Sequence, residues 1–117
     1  EANPHQLVTM LLEGLVRNVG AARAALQRGD VANKGLYIQK AVRILDEGLR
    51  PALNLAEGGD LAANLNGVYG YCALRLTEGN LRNDDEALAD VMRIMEPIID
   101  GWKQIGEQVG SAQTFSH

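Results

Sequence analysis

The sequence predicts an all-α protein, an antiparallel up-down-up-down four-helix bundle. Three observations predict it. Apolar residues recur at spacings of three and four through four stretches of about 20 to 25 residues. Connections of about two to five residues join the stretches, which forces sequential helices to run antiparallel. No run alternates apolar and polar residues at the period of two that a strand requires. The 117 residues form a single domain, 1–117, long enough to bury a core. Aromatic residues are only 4% of the chain, so aliphatic packing must dominate that core.

The first helix is expected over residues 4–28. Asn3-Pro4-His5-Gln6 carries its start: Asn3 caps, Pro4 suits the first turn, and Gln6 completes a capping box. Leu7, Val8, Leu11, Leu12, Leu15, Val16, Val19, Ala22 and Leu26 cover about half its circumference, wider than one packing partner needs. Met10 lies outside even that face. Gly29-Asp30 supplies a C-cap and the next N-cap. The second helix, 31–55, has a spine of Ile38, Val42, Leu45, Leu49 and Leu53, with a kink or early fraying expected at Pro51.

Gly58-Gly59 closes the next connection and opens the third helix, 60–80, whose core face is read as Leu61, Leu65, Val68, Tyr69, Cys72 and Leu76. Asn80 is expected to end it in the left-handed conformation, and Asn83 to cap the fourth helix, 84–108. Leu88, Val91, Met92, Met95, Ile98, Ile99, Trp102 and Ile105 form the fourth spine. Pro97 interrupts it, so a bend is expected near Arg93 to Pro97. From Gly110 to His117 periodicity fades and the chain reads as a flexible tail. Glu1 falls within what reads as a helix cap, so a further N-terminal segment is expected upstream.

Composition and spacing exclude several classes of function. A net charge of −4 argues against nucleic acid, which calls for clustered Lys and Arg. No apolar run approaches the roughly 20 residues of a membrane span. The single cysteine, Cys72, permits no internal disulfide and belongs to a core face. Neither His5 nor His117 has a metal-ligand partner one turn away, so no metal or cofactor is expected. Asp84, Asp85 and Glu86 cluster where a helix N-terminus explains them. No phosphate-binding loop, nucleophile elbow or zinc-protease motif is present, and no enzyme is expected.

Glycine placement points instead to binding. Gly14, Gly20, Gly35, Gly48, Gly67, Gly70, Gly101 and Gly106 fall inside expected helices, each costing roughly 0.5–1 kcal/mol relative to alanine. Close helix approach within the bundle accounts for many of them. Gly67 and Gly70 flank Tyr71 and Leu74, which project to one side of the third helix, away from its core face. Tyr71, Leu74 and Glu78 form a strip at spacings of three and four, with Arg75 at its rim. A partner helix lying close over Gly67 and Gly70 would bury that strip.

Asn-Pro-His-Gln-Leu before a long helix resembles the start of FliS, the flagellar export chaperone family. Met10-Leu11-Leu12-Glu13-Gly14, Gln27-Arg28-Gly29-Asp30, Lys34-Gly35 and Lys40-Ala41 match as well. So do Ala63-Asn64-Leu65, Tyr69-x-Tyr71, Arg75-Leu76, Asn80-Leu81-x-Asn83-Asp84 and Trp102-Lys103-x-Ile105, in an ordered set from about Asn3 to Ile105. The chain departs from the family's pattern at Pro51 and Pro97, and at the single arginine of Cys72-Ala73-Leu74-Arg75.

The resemblance implies a cytoplasmic helical bundle that binds the disordered C-terminal segment of flagellin, blocks premature polymerisation and hands the subunit to the export gate protein FlhA. It also admits a flagellar regulatory protein as a partner, and a monomer or weak homodimer as the state in solution. It implies an N-terminal segment that can lie over part of the site. With the wide face of the first helix, it marks Met10, Leu11, Gly14, Gly35 and Ile38 as one part of the partner groove. Gly67, Gly70, Tyr71, Leu74, Arg75 and Glu78 make the other. A generic helical adaptor, and a homodimeric structural bundle, are the alternatives the residues leave open.

Overall fold

A computed structural model describes the backbone of residues 3–115 and the side chains of residues 3–106. Among these the chain is all helical: α1 (Pro4–Gln27), α2 (Val31–Arg43), a π-helical turn (Ile44–Leu49), α3 (Arg50–Ala52), α4 (Leu55–Arg82) and α5 (Asp85–Phe115). The α2–π–α3 run acts as one bundle helix, so four long helices pack together.

Local sequence builds the ends of these helices. At α1, Asn3 Oδ1 accepts from the Gln6 amide at 2.8 Å and Gln6 Oε1 accepts from the Asn3 amide at 2.9 Å, the expected capping box. Gly29, at φ 77°, turns the chain after α1, and Asp30 accepts from the Asn33 amide at 3.1 Å to start α2. A positive φ there suits the residue without a Cβ.

The second bundle helix departs from the expected 31–55 span. It stops at Ala52, and Leu53 is extended at φ −73°, ψ 132°. The disturbance expected at Pro51 lies upstream of it: Ile44–Leu49 winds as a π turn, and the Arg50 amide donates to the Leu45 carbonyl. The widened turn sits directly ahead of a ring that excludes ordinary i→i−4 geometry.

The third helix opens after Gly59, as expected, but one capped turn precedes it. Asn54 caps that turn, accepting from the Glu57 amide at 3.2 Å, before Gly59 breaks the helix at φ 59°, ψ −138°. The far end of the third helix is corrected. Asn80 stays helical, and Asn83 takes the left-handed C-cap position at φ 52°. Asp84 then serves α5, its Oδ1 accepting from the Glu86 amide at 3.0 Å. Helix α5 runs past the expected 108 to Phe115 without interruption at Pro97. Pro97 and Arg93, whose carbonyl loses its ordinary donor, are both exposed, so water can supply that bond.

Contacts between neighbours run in opposite residue order, the signature of antiparallel packing. Leu11 meets Gly48 where Gly14 meets Ile44. Lys34 meets Asn80 where Arg50 meets Asn66. His5 meets Trp102 where Arg23 meets Asp85. The order around the bundle is therefore α1, α2–α3, α4, α5 and back to α1.

The core fills the axis with Leu12, Leu15, Val19, Ile38, Leu45, Leu49, Leu76, Leu88, Val91 and Met95, aliphatic as the composition requires. Burying each large aliphatic side chain is worth about 1.5–3 kcal/mol. One residue of the expected α4 core face is corrected: Leu61 is 70% exposed, and Ala62 is buried in its place. At 100° per residue Leu61 lies roughly 80° from Tyr69 around the helix and Ala62 about 20°. That angle alone does not expose it, since Gly79, 18 residues on at the same angle, is buried; Leu61 lies two residues past the Gly59 break, at a bundle end where residues 54–61 are all exposed.

Candidate partner-binding site

On α1, Met10 is 62% exposed and Leu7 half exposed, above an open groove of about 720 Å³ that runs between α1 and the π turn. Leu11 forms part of its floor by packing on Gly48. A Cβ at Gly48 would stand 2.9 Å from Leu11 Cδ2, so glycine sets how closely the two helices approach. Gly14 is buried, with Ile44 Cδ1 3.3 Å from where its Cβ would be. Met10, Leu11 and Gly14 therefore share one seam. Ile38 does not stand with them at the surface: it is 1% exposed and sits in the core. Its i→i+3 and i→i+7 neighbours Ala41 and Leu45 are buried with it, and they carry it inward.

The α2–α4 seam holds Gly35 and Gly70. A Cβ at Gly35 would lie 3.7 Å from Asn80 Oδ1, while the Arg50 guanidinium lies flat beside Gly70, its three nearest atoms each 3.5 Å from the Cβ position. Arg50 is fixed there by Asn66 at 2.9 Å and Asp46 at 3.3 Å. Gly67 is exposed and open, with nothing within 4 Å of its Cβ position. Leu74, 59% exposed, lies two turns beyond it on the same outward side of α4.

Tyr71 and Arg75 turn the other way, toward α5. Tyr71 Oη donates to Asp90 Oδ2 at 3.3 Å and Arg75 Nε donates to the same oxygen at 3.2 Å. Arg93 reaches Asp90 Oδ1 at 3.3 Å. The hydrogen bond from Arg75, with the positive charges of Arg75 and Arg93, holds the Asp90 carboxyl below its usual range. Tyr71 remains 48% exposed, its ring fixed by the hydroxyl rather than by burial. Glu78 is half-buried one turn beyond Leu74.

The expected site is thus spread over three seams. Met10, Leu11 and Gly14 come together, Gly35 and Gly70 share a seam, and Tyr71 stands beside Arg75. Leu36, Leu61 and Leu81 are further exposed apolar residues that the sequence reading left out of the site. Leu36 carried a signal, since it falls off the spine of its own helix. Leu81 at the end of α4 carried none.

Among the described residues no three His, Cys, Asp or Glu side chains group to hold a metal, and no helix is long and apolar enough to cross a membrane. Burial pushes the Cys72 thiol up to about 11, with the charge of Asp90 adding to it, so the sulfur is an inert core group. The fold and its outward residues define a class: a four-helix bundle that carries exposed apolar side chains on several of its helices. A family model described as flagellar protein FliS matches residues 1–109, and the chain belongs to the FliS family. It is 42% identical over 104 residues to the flagellar secretion chaperone FliS of Salmonella typhimurium, covering 89% of this chain and 77% of that protein. It is 39% identical over 105 residues to the flagellar secretion chaperone FliSB of Pseudomonas aeruginosa, covering 90% and 82%. To the flagellar secretion chaperone FliS of Bacillus subtilis it is 32% identical over 103 residues, covering 88% and 75%.

Proposed function

We propose that this protein is a flagellar export chaperone. It binds the disordered C-terminal segment of flagellin in the cytoplasm, prevents premature polymerisation and delivers the subunit to FlhA at the export apparatus. The observation that carries the reading is the run of outward apolar side chains on a chain of the FliS family: Leu7 and Met10 over the α1 groove, Leu36 on α2, Tyr71 and Leu74 on α4. An unfolded segment gains its binding energy by burying apolar surface along an extended path, and that gain must exceed the cost of ordering it. A segment wrapped around the bundle would cross the α1 groove and then the outer face of α4. No step of this requires a cofactor or a bond broken.

Titration calorimetry with a flagellin C-terminal peptide tests the reading. One peptide per bundle is expected, with a negative heat-capacity change. Binding of unrelated amphipathic peptides equally well would instead favour a generic adaptor. A stable dimer by light scattering that excludes the peptide would favour a homodimeric bundle. Met10→Glu should weaken binding while leaving the fold intact, and unchanged binding would remove the α1 groove from the site.

A further inference from the structure

We propose that residues 98–106 of α5 form a strap, docked on the first two turns of α1 through Trp102, that opens as a unit while the rest of the bundle stays folded. Three features of the same segment point to this. The deep core contributed by α5 is Leu88, Val91 and Met95, each no more than 1% exposed, and it ends there. Beyond it Ile98, Ile99 and Trp102 are only partly buried and Ile105 is half exposed. Pro97 marks the boundary, because it donates no amide to the Arg93 carbonyl and so removes a rung between the two parts of the helix.

Ile98 and Ile99 rest against the core, and among the described residues the strap's side-chain hydrogen bonds all come from Trp102. The Trp102 indole stacks on the His5 ring with centroids 4.4 Å apart and planes 15° from parallel. Its Nε1 donates to Thr9 Oγ1 at 3.0 Å and, more weakly, toward the His5 carbonyl at 3.4 Å. Gly106 completes the contact one turn on: its backbone lies so close to the imidazole that any Cβ there would collide with the ring. Yet the contact has a flaw. His5 Nδ1 is buried with no hydrogen-bond partner, a cost that disappears when the strap lifts and water reaches the ring. A docking contact with an orphaned polar atom, beyond a missing helical hydrogen bond and outside the deep core, is weaker than the bundle it caps.

Opening would uncover Trp102 and the His5–Thr9 flank of α1. The other flank of those turns, at Pro4, Leu7 and Val8, already lines the α1 groove. A lifted strap therefore enlarges the apolar surface of one helix end on both sides, and adds a tryptophan, a residue type enriched in binding hot spots.

Amide exchange of the full chain tests this, together with acrylamide quenching of Trp102, the sole tryptophan. Amides of 98–106 should share one opening rate, tenfold or more faster than those of 87–95. Trp102→Ala should speed exchange of 98–106 by a further tenfold and leave 87–95 unchanged. His5→Phe keeps the stack and removes the orphaned nitrogen, so it should slow exchange of 98–106 several-fold and reduce quenching. The unsubstituted protein decides even where a variant fails to fold. A stepwise gradient from 106 back to 98 would mean simple end fraying, and protection equal to 87–95 would mean no strap; either overturns the proposal. So does a His5→Phe variant that exchanges faster, or a Trp102→Ala variant that loosens both segments alike.

Discussion

Lys34 Nζ donates to Asn83 Oδ1 at 2.6 Å and ties the start of α2 to the end of α4. The same ammonium donates to the Asn80 carbonyl at 2.9 Å, and the residue is only 2% exposed. A buried cation without a carboxylate is costly unless other dipoles compensate it. Here the C-terminus of α4 supplies them, since its last carbonyls carry partial negative charge and lack helical donors.

Lys34→Met keeps the aliphatic stem and removes the donor. It should cost roughly 1–2 kcal/mol, since it removes two hydrogen bonds from a charged donor to part-buried acceptors, and lower Tm by about 5–10 °C. Circular dichroism melts check this. Affinity for the flagellin peptide in the folded fraction should hold, because Lys34 is not on the outward surface.

The α4 strip gives the opposite pattern. Tyr71→Ala combined with Leu74→Ala should weaken flagellin-peptide binding more than tenfold and scarcely move Tm, since both side chains are about half exposed. Calorimetric titration and a thermal melt on the same sample decide. A large fall in Tm with intact affinity would make these residues structural.

Two glycines separate packing from recognition. Gly48→Ala gains up to about 1 kcal/mol of helix propensity and places a Cβ 2.9 Å from the tip of Leu11, a partly exposed side chain that can swing into the open groove. Tm should change little, while the groove floor shifts and peptide affinity changes with it. Gly67→Ala meets nothing within 4 Å, so it should raise Tm. If a partner lies close over Gly67, the same change lowers peptide affinity, and a variant that gains stability without losing affinity would remove Gly67 from the site.

Asp90 predicts a pH dependence. Its carboxyl is held low, first by the hydrogen bond from Arg75 and then by the charges of Arg75 and Arg93. A depressed carboxylate adds stability that is fully present above its unfolded pKa of about 3.9 and is lost as pH falls through the lower folded value. Asp90→Asn should therefore melt slightly below the unsubstituted protein at pH 7, with the gap closing under acid conditions. A gap that widens with acid would contradict the assignment.

Cys72 should be silent in the native state. With its thiol raised to about 11 and its side chain fully buried, Ellman's reagent at pH 8 should react on the order of a hundredfold or more slower than with a free thiol. Denaturant should restore the ordinary rate. Fast native labelling would mean that the α4 core face opens readily.

Much of the fold was legible because it is written locally. A cap needs only neighbours in sequence, so Asn3-Pro4-His5-Gln6 and Gly29-Asp30 could be read directly, and both are as expected. Periodicity placed Cys72, Leu76, Val91 and Met95 in the core, since a helix brings residues three and four apart onto one face whatever it packs against. Outward residues were legible by exclusion, as Met10 and Leu74 show. Ile38 satisfies a core spine and a family pattern alike, and only the tertiary structure shows that it is buried.

The sequence by itself determined four helices, an aliphatic core and surplus apolar surface, because these follow from propensity and spacing. Tertiary structure alone decided the rest. It broke the helix at Gly59 and left Leu61 at an exposed bundle end. It moved the effect of Pro51 into a π turn, and it brought Lys34 to Asn83 and His5 to Trp102 across 49 and 97 residues. It also spread the expected site over three seams. The physical reason is that a helix's period specifies which residues share a face, whereas its rotation and its distance from each neighbour are set by side chains far away in sequence.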